Sequence, residues 1–315
     1  MEMINSSSKV ALTGATGFIG SHLLKNKAFR GALAIGRRRP TNHTNFQNYS
    51  FDLKDNSTLD LSGIEIIVHT AARTHIMNDL AANPLDEFRA MNTAGTLLLA
   101  EQAATAGVKR FIFISTIKVL GEHTKQDQTF SFDDPFNPQD PYSVSKCEAE
   151  EGLRQIGSEH GMEIVIIRPP VVYGYGVKGN FARLLKLVRL PLPLPLRSVG
   201  NKRSFVSVLN LVDLIVVCLT HKNAKNQIFL VSDDHDMSTP ILFSRLAAAG
   251  GYRAYIFSFP LVLLSILLRA VGMGSTYSRL CDSMQVNIDH TKSRLSWVPP
   301  FKIEDTLRSC WRNNN

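Results

Sequence analysis

The apolar positions of the first half of the chain come in short β-branched runs separated by longer helical stretches. Five of these runs are apolar on most residues, a pattern typical of strands buried on both faces of a parallel sheet. They are Lys9–Thr13, Ala32–Gly36, Ile64–Thr70, Arg110–Ser115 and Glu163–Arg168. One helical stretch runs from about Pro84 to a stop at Gly107, and another from about Pro141 to Gly161. The alternation predicts an α/β fold with a doubly wound parallel sheet.

After Arg168 the pattern changes. Two prolines follow directly, and the proline-rich run 191–195 should be extended. Beyond it we predict a strand at Ser204–Val208, a helix at Asn210–His221 and a strand at Gln227–Val231, and these could rejoin the first sheet. We therefore divide the chain into a first domain of residues 1–168 plus about 204–235, and a smaller, discontinuous C-terminal domain of about 169–203 plus 236–315.

The most apolar run, Phe257–Leu268, is closed by Arg269. It is shorter than the roughly 18 residues of a membrane-spanning helix, so we predict no transmembrane segment. We interpret the run as a buried helix of the second domain, with a membrane-surface helix as the alternative. The N-terminus has no apolar leader, and the four cysteines are far apart with no C-x-x-C pair. These features indicate a reduced, cytoplasmic protein without a metal site.

The 315 residues are 44% apolar and 20% charged, a composition typical of a globular protein of about two domains. The formal charge of +8 is concentrated between Ile164 and Val212, where there are eight Lys or Arg and no Asp or Glu. The remaining 27 basic residues balance all 27 acidic ones. No nucleic-acid-binding motif accompanies the basic segment, so we predict a local site for an anionic ligand rather than a nucleic-acid partner.

Three glycines stand between the first strand and the following helix, at positions 14, 17 and 20. Gly14 permits a tight turn, Gly17 allows the backbone to approach a pyrophosphate, and Gly20 allows close packing of the helix. The helix N-terminus then faces the phosphates. The position of the motif, after a strand and before a helix, makes a dinucleotide site the best interpretation.

The run Thr-Gly-Ala-Thr-Gly-Phe-Ile-Gly, residues 13–20, resembles the extended short-chain dehydrogenase/reductase family, in its nucleotide-sugar epimerase/dehydratase branch. Later matches extend the resemblance over nearly the whole chain. It implies a Rossmann sheet that binds a nicotinamide dinucleotide, and a substrate domain that begins near Arg168-Pro169. The resemblance assigns cofactor contacts to Gly14, Thr16, Gly17, Phe18, Ile19, Gly20, Asp52, Leu53, Thr70, Ala71, Ala72, Asn92 and Lys146.

Tyr142 and Lys146 form a Y-x-x-x-K motif that places both side chains on one face of a predicted helix. An unperturbed tyrosine, with a pKa near 10, moves protons poorly at neutral pH. A neighbouring ammonium and an oxidised nicotinamide would lower that pKa and suit Tyr142 to acid/base work. By the resemblance, Lys146 also holds the nicotinamide ribose, and Thr116 hydrogen-bonds the reacting oxygen.

The second predicted strand ends in Gly36-Arg37-Arg38-Arg39, without the carboxylate that usually holds the ribose 2′-hydroxyl of NAD. Guanidinium groups suit a 2′-phosphate, so Arg37 and Arg38 favour NADP, with NAD less favoured. The alternative is a solvent-facing basic turn.

The resemblance also bears on the substrate. Dehydratases of this family have Asp-Glu directly after the position of Thr116, whereas this chain has Ile117-Lys118, so a dehydratase is disfavoured. The resemblance implies a UDP-sugar substrate and assigns its binding to Lys118, Asn180, Arg203 and Arg279.

The stretches 115–122, 191–196 and 229–233 resemble enzymes of bacterial polysaccharide clusters. We therefore expect a 4-reductase of UDP-4-keto-6-deoxy-N-acetylhexosamines in O-antigen biosynthesis, because a reductase consumes NADPH and the arginines favour that nucleotide. The alternative is a UDP-hexose or UDP-N-acetylhexosamine 4-epimerase that retains NAD, and a more distant one is a non-catalytic NADP sensor. The resemblance further implies a homodimer formed through the helices near 84–107 and 141–161.

Overall fold

A computed structural model describes residues 9–49, 58–74, 83–125, 127–270, 272 and 274–312. The strands are β1 (Val10–Thr13), β2 (Leu33–Gly36), β3 (Phe46–Asn48), β4 (Ile66–His69), β5 (Arg110–Ile114), β6 (Glu163–Arg168), β7 (Val171–Tyr173), β8 (Phe205–Ser207) and β9 (Gln227–Leu230). The helices are α1 (Phe18–Lys25), α2 (Pro84–Phe88), α3 (Gly95–Thr105), α4 (Pro141–His160), α5 (Gly179–Arg189), α6 (Val208–Thr220), α7 (Thr239–Gly250), α8 (Leu261–Ala270), α9 (Gly274–Cys281), α10 (Asp289–Leu295) and α11 (Ile303–Ser309).

Seven strands form one sheet in the order β3-β2-β1-β4-β5-β6-β9, and every neighbouring pair is parallel. This confirms the doubly wound α/β sheet. Strand β9 rejoins the sheet beside β6, as the sequence allowed. Strand β8 does not, because it pairs with β7 in a separate two-stranded parallel sheet.

The alternation of side chains along each strand divides the core between the two faces of the sheet. Val10 and Leu12 of β1 point to one face and pack in a cluster with residues of α1 and α6. Ala11 points to the other face and packs in a cluster with residues of α3 and α4. Both faces are therefore covered by helices, which explains the almost continuous apolar runs in the sequence.

The helix predicted between Pro84 and Gly107 is divided by a π-helical segment at Arg89–Ala94, between α2 and α3. Helix α4 begins and ends where the sequence predicts. Asp140 caps its first turn, where the Asp140 carboxylate accepts from Ser143 N and the Ser143 hydroxyl from Asp140 N, and Gly161 ends it with φ of 71°. Local hydrogen bonding fixes both ends of α4.

A third apolar cluster lies outside the sheet and joins β7, α5, β8, α7 and α11. The segment after α9 contributes to two clusters. Its residues Met284, Val286 and Trp297 are buried with the core of the sheet, whereas α11 belongs to the third cluster. The division of the chain into two domains near residues 168, 204 and 235 stays a prediction. Residues 284–297 are assigned to the second domain in that division, and they pack on the first.

The prediction that Phe257–Leu268 is a buried helix is wrong. Helix α8 starts only at Leu261, and Leu264 is the one residue of α8 that is fully buried. Val262, Leu263, Ile266 and Leu267 are 50–70% exposed. Within the described residues, no helix is long and apolar enough to cross a membrane.

Candidate active site

A cleft opens at the carboxyl ends of β1 and β4, where the chain connections leave the sheet in opposite directions. In doubly wound folds this switch point is where ligands bind. The cleft brings together most of the cofactor contacts that the sequence predicts. It is lined by Gly14, Ala15, Thr16, Gly17, Ile35, Gly36, Arg37, Arg38, Thr70, Ala71, Ala72 and Met91.

The glycine loop leaves no room for side chains. Gly14 has φ of +70°, and a Cβ there would lie 2.6 Å from the backbone nitrogen of Ala71. A Cβ on Gly20 would lie 2.2 Å from the carbonyl oxygen of Gly14, so α1 packs directly on the loop. A Cβ at Gly17, the N-cap of α1, would lie 3.0 Å from the same oxygen. The bare backbone and the helix N-terminus fit the diphosphate of a dinucleotide, and Arg37 and Arg38 line the same cleft.

The remaining predicted cofactor residues are placed differently. Phe18, Ile19 and Gly20 form the first turn of α1 and are not among the residues that line the cleft. Asp52 and Leu53 lie outside the described residues.

Asn92 is fully buried in the π-helical segment and acts as a bridge. Its amide exchanges hydrogen bonds with Arg73, accepting from N at 2.8 Å and donating to O at 3.0 Å. It also donates to the hydroxyl of Ser145 in α4, at 3.1 Å. Asn92 therefore holds the loop after β4 against the helix that bears Tyr142 and Lys146.

His69, at the end of β4, is a feature that the sequence analysis missed. Its ring joins the hydroxyls of Thr13 and Thr96, at 2.7 and 3.0 Å. Burial, together with the charge of Lys146, lowers the pKa of His69 to about 3, so the ring is neutral. We infer that it ties β1, β4 and α3 together behind the cleft, and no local signal in the sequence indicates this role.

Lys146 connects α4 to the end of β5. Its ammonium donates to the carbonyl oxygen of Ile114 at 2.9 Å and lies 4.2 Å from the centre of the Phe113 ring. Thr116 follows Ile114 by two residues, so the helix face of Tyr142 and Lys146 meets the strand end that bears Thr116. Burial lowers the pKa of Lys146 to about 7, although the carboxylate of Glu150 opposes this.

The lowered pKa of Lys146 makes stability depend on pH. The unfolded chain holds this proton up to a pKa of about 10.4, whereas the folded protein releases it near pH 7. Folding is therefore penalised fully below pH 7, and the penalty disappears as the pH rises towards 10. We expect Lys146→Met to raise the free energy of unfolding at pH 7 by about 1–3 kcal/mol, because the lost hydrogen bond offsets part of the gain.

Urea denaturation of the dinucleotide-free protein between pH 7 and 10 measures this effect. The difference between Lys146→Met and the wild type should shrink as the pH rises. Lys109 is 71% exposed, and Lys109→Met serves as the control, for which no such trend is expected. A constant difference across the pH range would contradict the prediction.

Tyr142 lies near the start of α4, and its ring meets Phe88 edge-on at 6.1 Å between centroids. From the sequence we expect a neighbouring ammonium and an oxidised nicotinamide to lower its pKa, whereas the protein's own groups act in the opposite direction. Burial raises the pKa of Tyr142, and the charge of Asp140 raises it further. The physical reason is that Tyr142 is itself buried and that Asp140 caps the same helix turn. By its own surroundings Tyr142 is therefore held as a phenol, and the positive charge of an oxidised nicotinamide would favour the phenolate that can accept a proton.

Asp140 is in turn paired with Lys118. The Lys118 ammonium lies 2.7 Å from Asp140 and 2.8 Å from Glu122. Hydrogen bonds from Lys118 and Ser143 hold the pKa of Asp140 below its usual value, against the effect of burial. Lys118, expected to bind substrate, thus also screens the negative charge next to Tyr142. The sequence Asp140-Pro141 before a helix is a local signal for a helix cap. No local signal indicates that Asp140 also pairs with Lys118.

Beneath these groups lies an ion pair. Arg168 at the end of β6 and Glu150 of α4 are 2% and 0% exposed, with 2.7 Å between Arg168 Nη2 and Glu150 Oε2. Glu150 also accepts from the hydroxyl of Ser115, and Arg168 donates to the carbonyl oxygen of Phe132. This corrects one part of the charge analysis, since Arg168 belongs to the basic segment by sequence but neutralises Glu150 in the fold.

Two of the predicted substrate residues come together from distant parts of the chain. Arg203 donates to the carbonyl oxygens of Arg279 and Asp282, at 3.4 and 3.0 Å. Its pKa is lowered by burial and raised in part by the charges of Asp282 and Glu122. Glu122 therefore acts on both Arg203 and Lys118. Asn180 is exposed in the first turn of α5.

Thr116 is buried beside these groups and begins a short helical turn, with Lys118 N donating to its hydroxyl oxygen at 3.3 Å. The site thus has three parts. One is a cleft that fits a dinucleotide, the second is a buried lysine with a tyrosine and a threonine at one strand end, and the third is a set of basic groups towards β8 and α9. Such an arrangement can move a proton at an oxygen next to a hydride-transfer cofactor.

Comparison with known proteins agrees with this arrangement. Residues 10–232 match the NAD dependent epimerase/dehydratase family. A UDP-glucose 4-epimerase of Vibrio cholerae is 42% identical over 305 residues, covering 95% of this chain and 93% of the relative.

An N-acetyl-alpha-D-glucosaminyl-diphospho-ditrans,octacis-undecaprenol 4-epimerase of Escherichia coli O157:H7 is 29% identical over 240 residues, covering 73% of this chain and 68% of the relative. Among solved structures, UDP-glucuronic acid 4-epimerase from Bacillus cereus in complex with NAD superposes with a TM-score of 0.73. It is 24% identical, covers 96% of this chain and 97% of its own, and so supports the fold alone.

Proposed function

Since the chain belongs to the NAD dependent epimerase/dehydratase family, we propose that it is a 4-epimerase of UDP-hexoses or UDP-N-acetylhexosamines. The observation that carries this is the contact between Lys146 and Ile114 O, which brings the Tyr142 helix face to the strand end of Thr116. Both curated relatives described above are 4-epimerases of a sugar carried on a diphosphate. They favour the epimerase over the 4-reductase expected from the sequence.

The proposed mechanism uses Tyr142 as the proton carrier at the sugar 4-oxygen. When bound, the dinucleotide supplies a hydride acceptor and donor for C4. As a phenolate, Tyr142 would take the proton of the 4-hydroxyl as C4 is oxidised. As a phenol it would then return that proton when C4 is reduced from the other face, so the reaction has no net oxidation. Thr116 would hydrogen-bond the same oxygen. Lys146, whose pKa burial lowers to about 7, would stabilise the phenolate of Tyr142 when it carries its proton.

The substrate diphosphate is proposed to bind the basic groups. Arg203 is already oriented by the carbonyl oxygens of Arg279 and Asp282, so it would lose little freedom on binding. Lys118, Asn180 and Arg279 complete the proposed set. The four cysteines are free thiols, three of them buried, which supports action in a reducing compartment such as the cytoplasm. A homodimer through α3 and α4 stays part of the proposal.

The reaction is tested with UDP-glucose, UDP-galactose and their N-acetylated forms, each given alone to the purified protein. A 4-epimerase converts one member of a pair into the other without net consumption of added NADPH, which NMR of the product and absorbance of the nucleotide report together. No interconversion of any pair with either NAD or NADP present would overturn the proposal.

A 4-reductase remains a second candidate because Arg37 and Arg38 line the cleft where a carboxylate would favour NAD. A UDP-4-keto-6-deoxy-N-acetylhexosamine is its test substrate. Stoichiometric loss of NADPH with that sugar, in a protein that leaves the four UDP-sugars unchanged, would assign the reductase.

The choice of nucleotide is tested separately from the reaction. We expect Arg37→Ala/Arg38→Ala to weaken NADP binding by about tenfold or more while changing NAD binding far less, because only NADP has a 2′-phosphate. Arg39→Ala is the matched control, since Arg39 lies over the Phe46 ring at 5.6 Å and is not among the cleft residues. Fluorescence titration of both nucleotides measures the affinities, and an equal loss for NAD and NADP would contradict the assignment.

A further inference from the structure

Helix α8 presents apolar side chains to solvent, and the proposed reaction gives them no role. Val262 is 70% exposed and Ile266 is 58% exposed. Leu263, Ile266 and Leu267 follow Val262 by one, four and five residues, so the four side chains share one face of the helix. Leu264 anchors the opposite face. An apolar face of this kind on a globular protein marks an interaction site.

Neighbouring segments extend the face. The chain before α8 is bonded to the proline-rich run, with Leu194 N donating to Tyr255 O at 2.8 Å and Phe257 N donating to Leu194 O at 3.0 Å. This pair of segments adds further exposed apolar side chains. The α8 surface, as we define it, consists of Leu190, Leu192, Tyr255, Phe257, Val262, Leu263, Ile266 and Leu267.

The sequence segments that form the α8 surface carry basic residues and no acidic ones. Between Met237 and Cys281 the sequence has no Asp or Glu, and the run Ile164–Val212, which contains the proline-rich segment, has none either. Arg197, Arg253 and Arg269 are exposed, and none of them forms an ion pair with a carboxylate among the described residues. An apolar face with unneutralised arginines at its border has the composition of elements that lie in a membrane interface.

The same observations decide between occupants. A second copy of the chain, docked face to face, would bring identical unpaired arginines together, and such like-charge contacts oppose association. The ten residues of α8 span about 15 Å, which is too short to cross a bilayer, so the helix would lie along its surface. We propose that the α8 surface docks the protein onto an anionic phospholipid membrane, with the apolar side chains in the headgroup boundary and the arginines on the lipid phosphates.

Docking would orient the proposed active site relative to the membrane. Helix α8 packs on α9, and Arg203 donates to the carbonyl oxygen of Arg279 in the last turn of α9. The groups proposed to hold the substrate diphosphate are thus one helix away from the lipid. The membrane contact itself does not depend on the reaction that the protein catalyses.

Flotation with vesicles tests the proposal. The full chain should float with vesicles of phosphatidylethanolamine and phosphatidylglycerol, bind phosphatidylcholine vesicles weakly, and lose binding as salt is added. Ile266→Glu and, separately, Arg253→Gln/Arg269→Gln should each lower the partition coefficient by about tenfold or more. Val298 is 65% exposed but lies outside the α8 surface, and Val298→Glu should bind vesicles like the wild type.

Circular dichroism and turnover of a soluble UDP-sugar check that each variant is folded. Since flotation does not depend on turnover, a failure of the proposed reaction and a failure of membrane docking are distinguishable. A wild-type chain that does not float with phosphatidylglycerol vesicles overturns the proposal, as does flotation that neither change affects. Concentration-dependent dimerisation in light scattering that Ile266→Glu abolishes, without vesicle binding, would assign the surface to a second copy instead.

Discussion

Tyr142→Phe should lower kcat by about 10²–10⁴-fold, the range expected when a general acid/base is removed. The change deletes one oxygen and keeps the ring, so the edge-on contact with Phe88 remains and dinucleotide affinity should be unchanged. Because the pKa of Tyr142 is raised, the phenolate fraction of the wild type grows with pH, and kcat/KM should climb across the neutral range. The residual activity of the variant should lack that dependence.

Tyr252→Phe is the matched control for this prediction. Tyr252 packs against Trp311 at 5.0 Å and is remote in sequence from the groups of the proposed mechanism, so kcat should not change. Steady-state kinetics over a range of pH, with dinucleotide affinity measured by titration, separates chemistry from binding. A Tyr142→Phe enzyme with wild-type kcat would remove the proposed mechanism and revive a non-catalytic role for the dinucleotide.

Arg168→Met should lower the free energy of unfolding by about 3–5 kcal/mol, because it leaves the carboxylate of Glu150 buried without its counterion. Among the described side chains, the hydroxyl of Ser115 would be left as a partner of that carboxylate. The effect should extend to the active site, since Glu150 also acts on Lys146. Urea denaturation measures the loss, and kinetics of the folded fraction measures the effect on turnover.

Two further variants show whether the buried charge is the cause. Glu150→Gln/Arg168→Met removes both charges and should recover part of the lost stability. Arg245→Met breaks an exposed pair with Glu304, at 3.4 Å, and should cost less than about 1 kcal/mol. If the double variant is no more stable than Arg168→Met, the loss comes from packing rather than from the unpaired carboxylate.

The features that the sequence predicted depend on neighbouring residues. The buried strands could be read because side chains alternate between two apolar faces, and the ends of α4 because Asp140 and Gly161 act within one turn. The glycine loop could be read because Gly14 and Gly20 leave the space that the loop and helix need. Each of these features depends on residues close together in the sequence, so it can be predicted without knowing which distant segments are in contact.

The resemblance to a known family supplied the candidate site residues, and the structure gave several of them different surroundings. Lys118 pairs with Asp140 across 22 positions, and Arg203 reaches Arg279 across 76. Pairing of this kind depends on how the strands are ordered in the sheet, which no local pattern encodes. The groups that raise the pKa of Tyr142 could not be read for the same reason, because the shift depends on the burial of Tyr142 and on the charge of Asp140.

By itself the sequence determined the α/β sheet, its glycine loop and the helix that carries Tyr142 and Lys146, because hydrophobic periodicity and capping act over a few residues. Only the tertiary structure decided that Arg168 neutralises Glu150 and that α8 lies on the surface. A helix that is apolar on nearly every side predicts burial. Whether it is buried depends on which other segments the fold brings to cover it, and α8 is covered on the side of Leu264 alone.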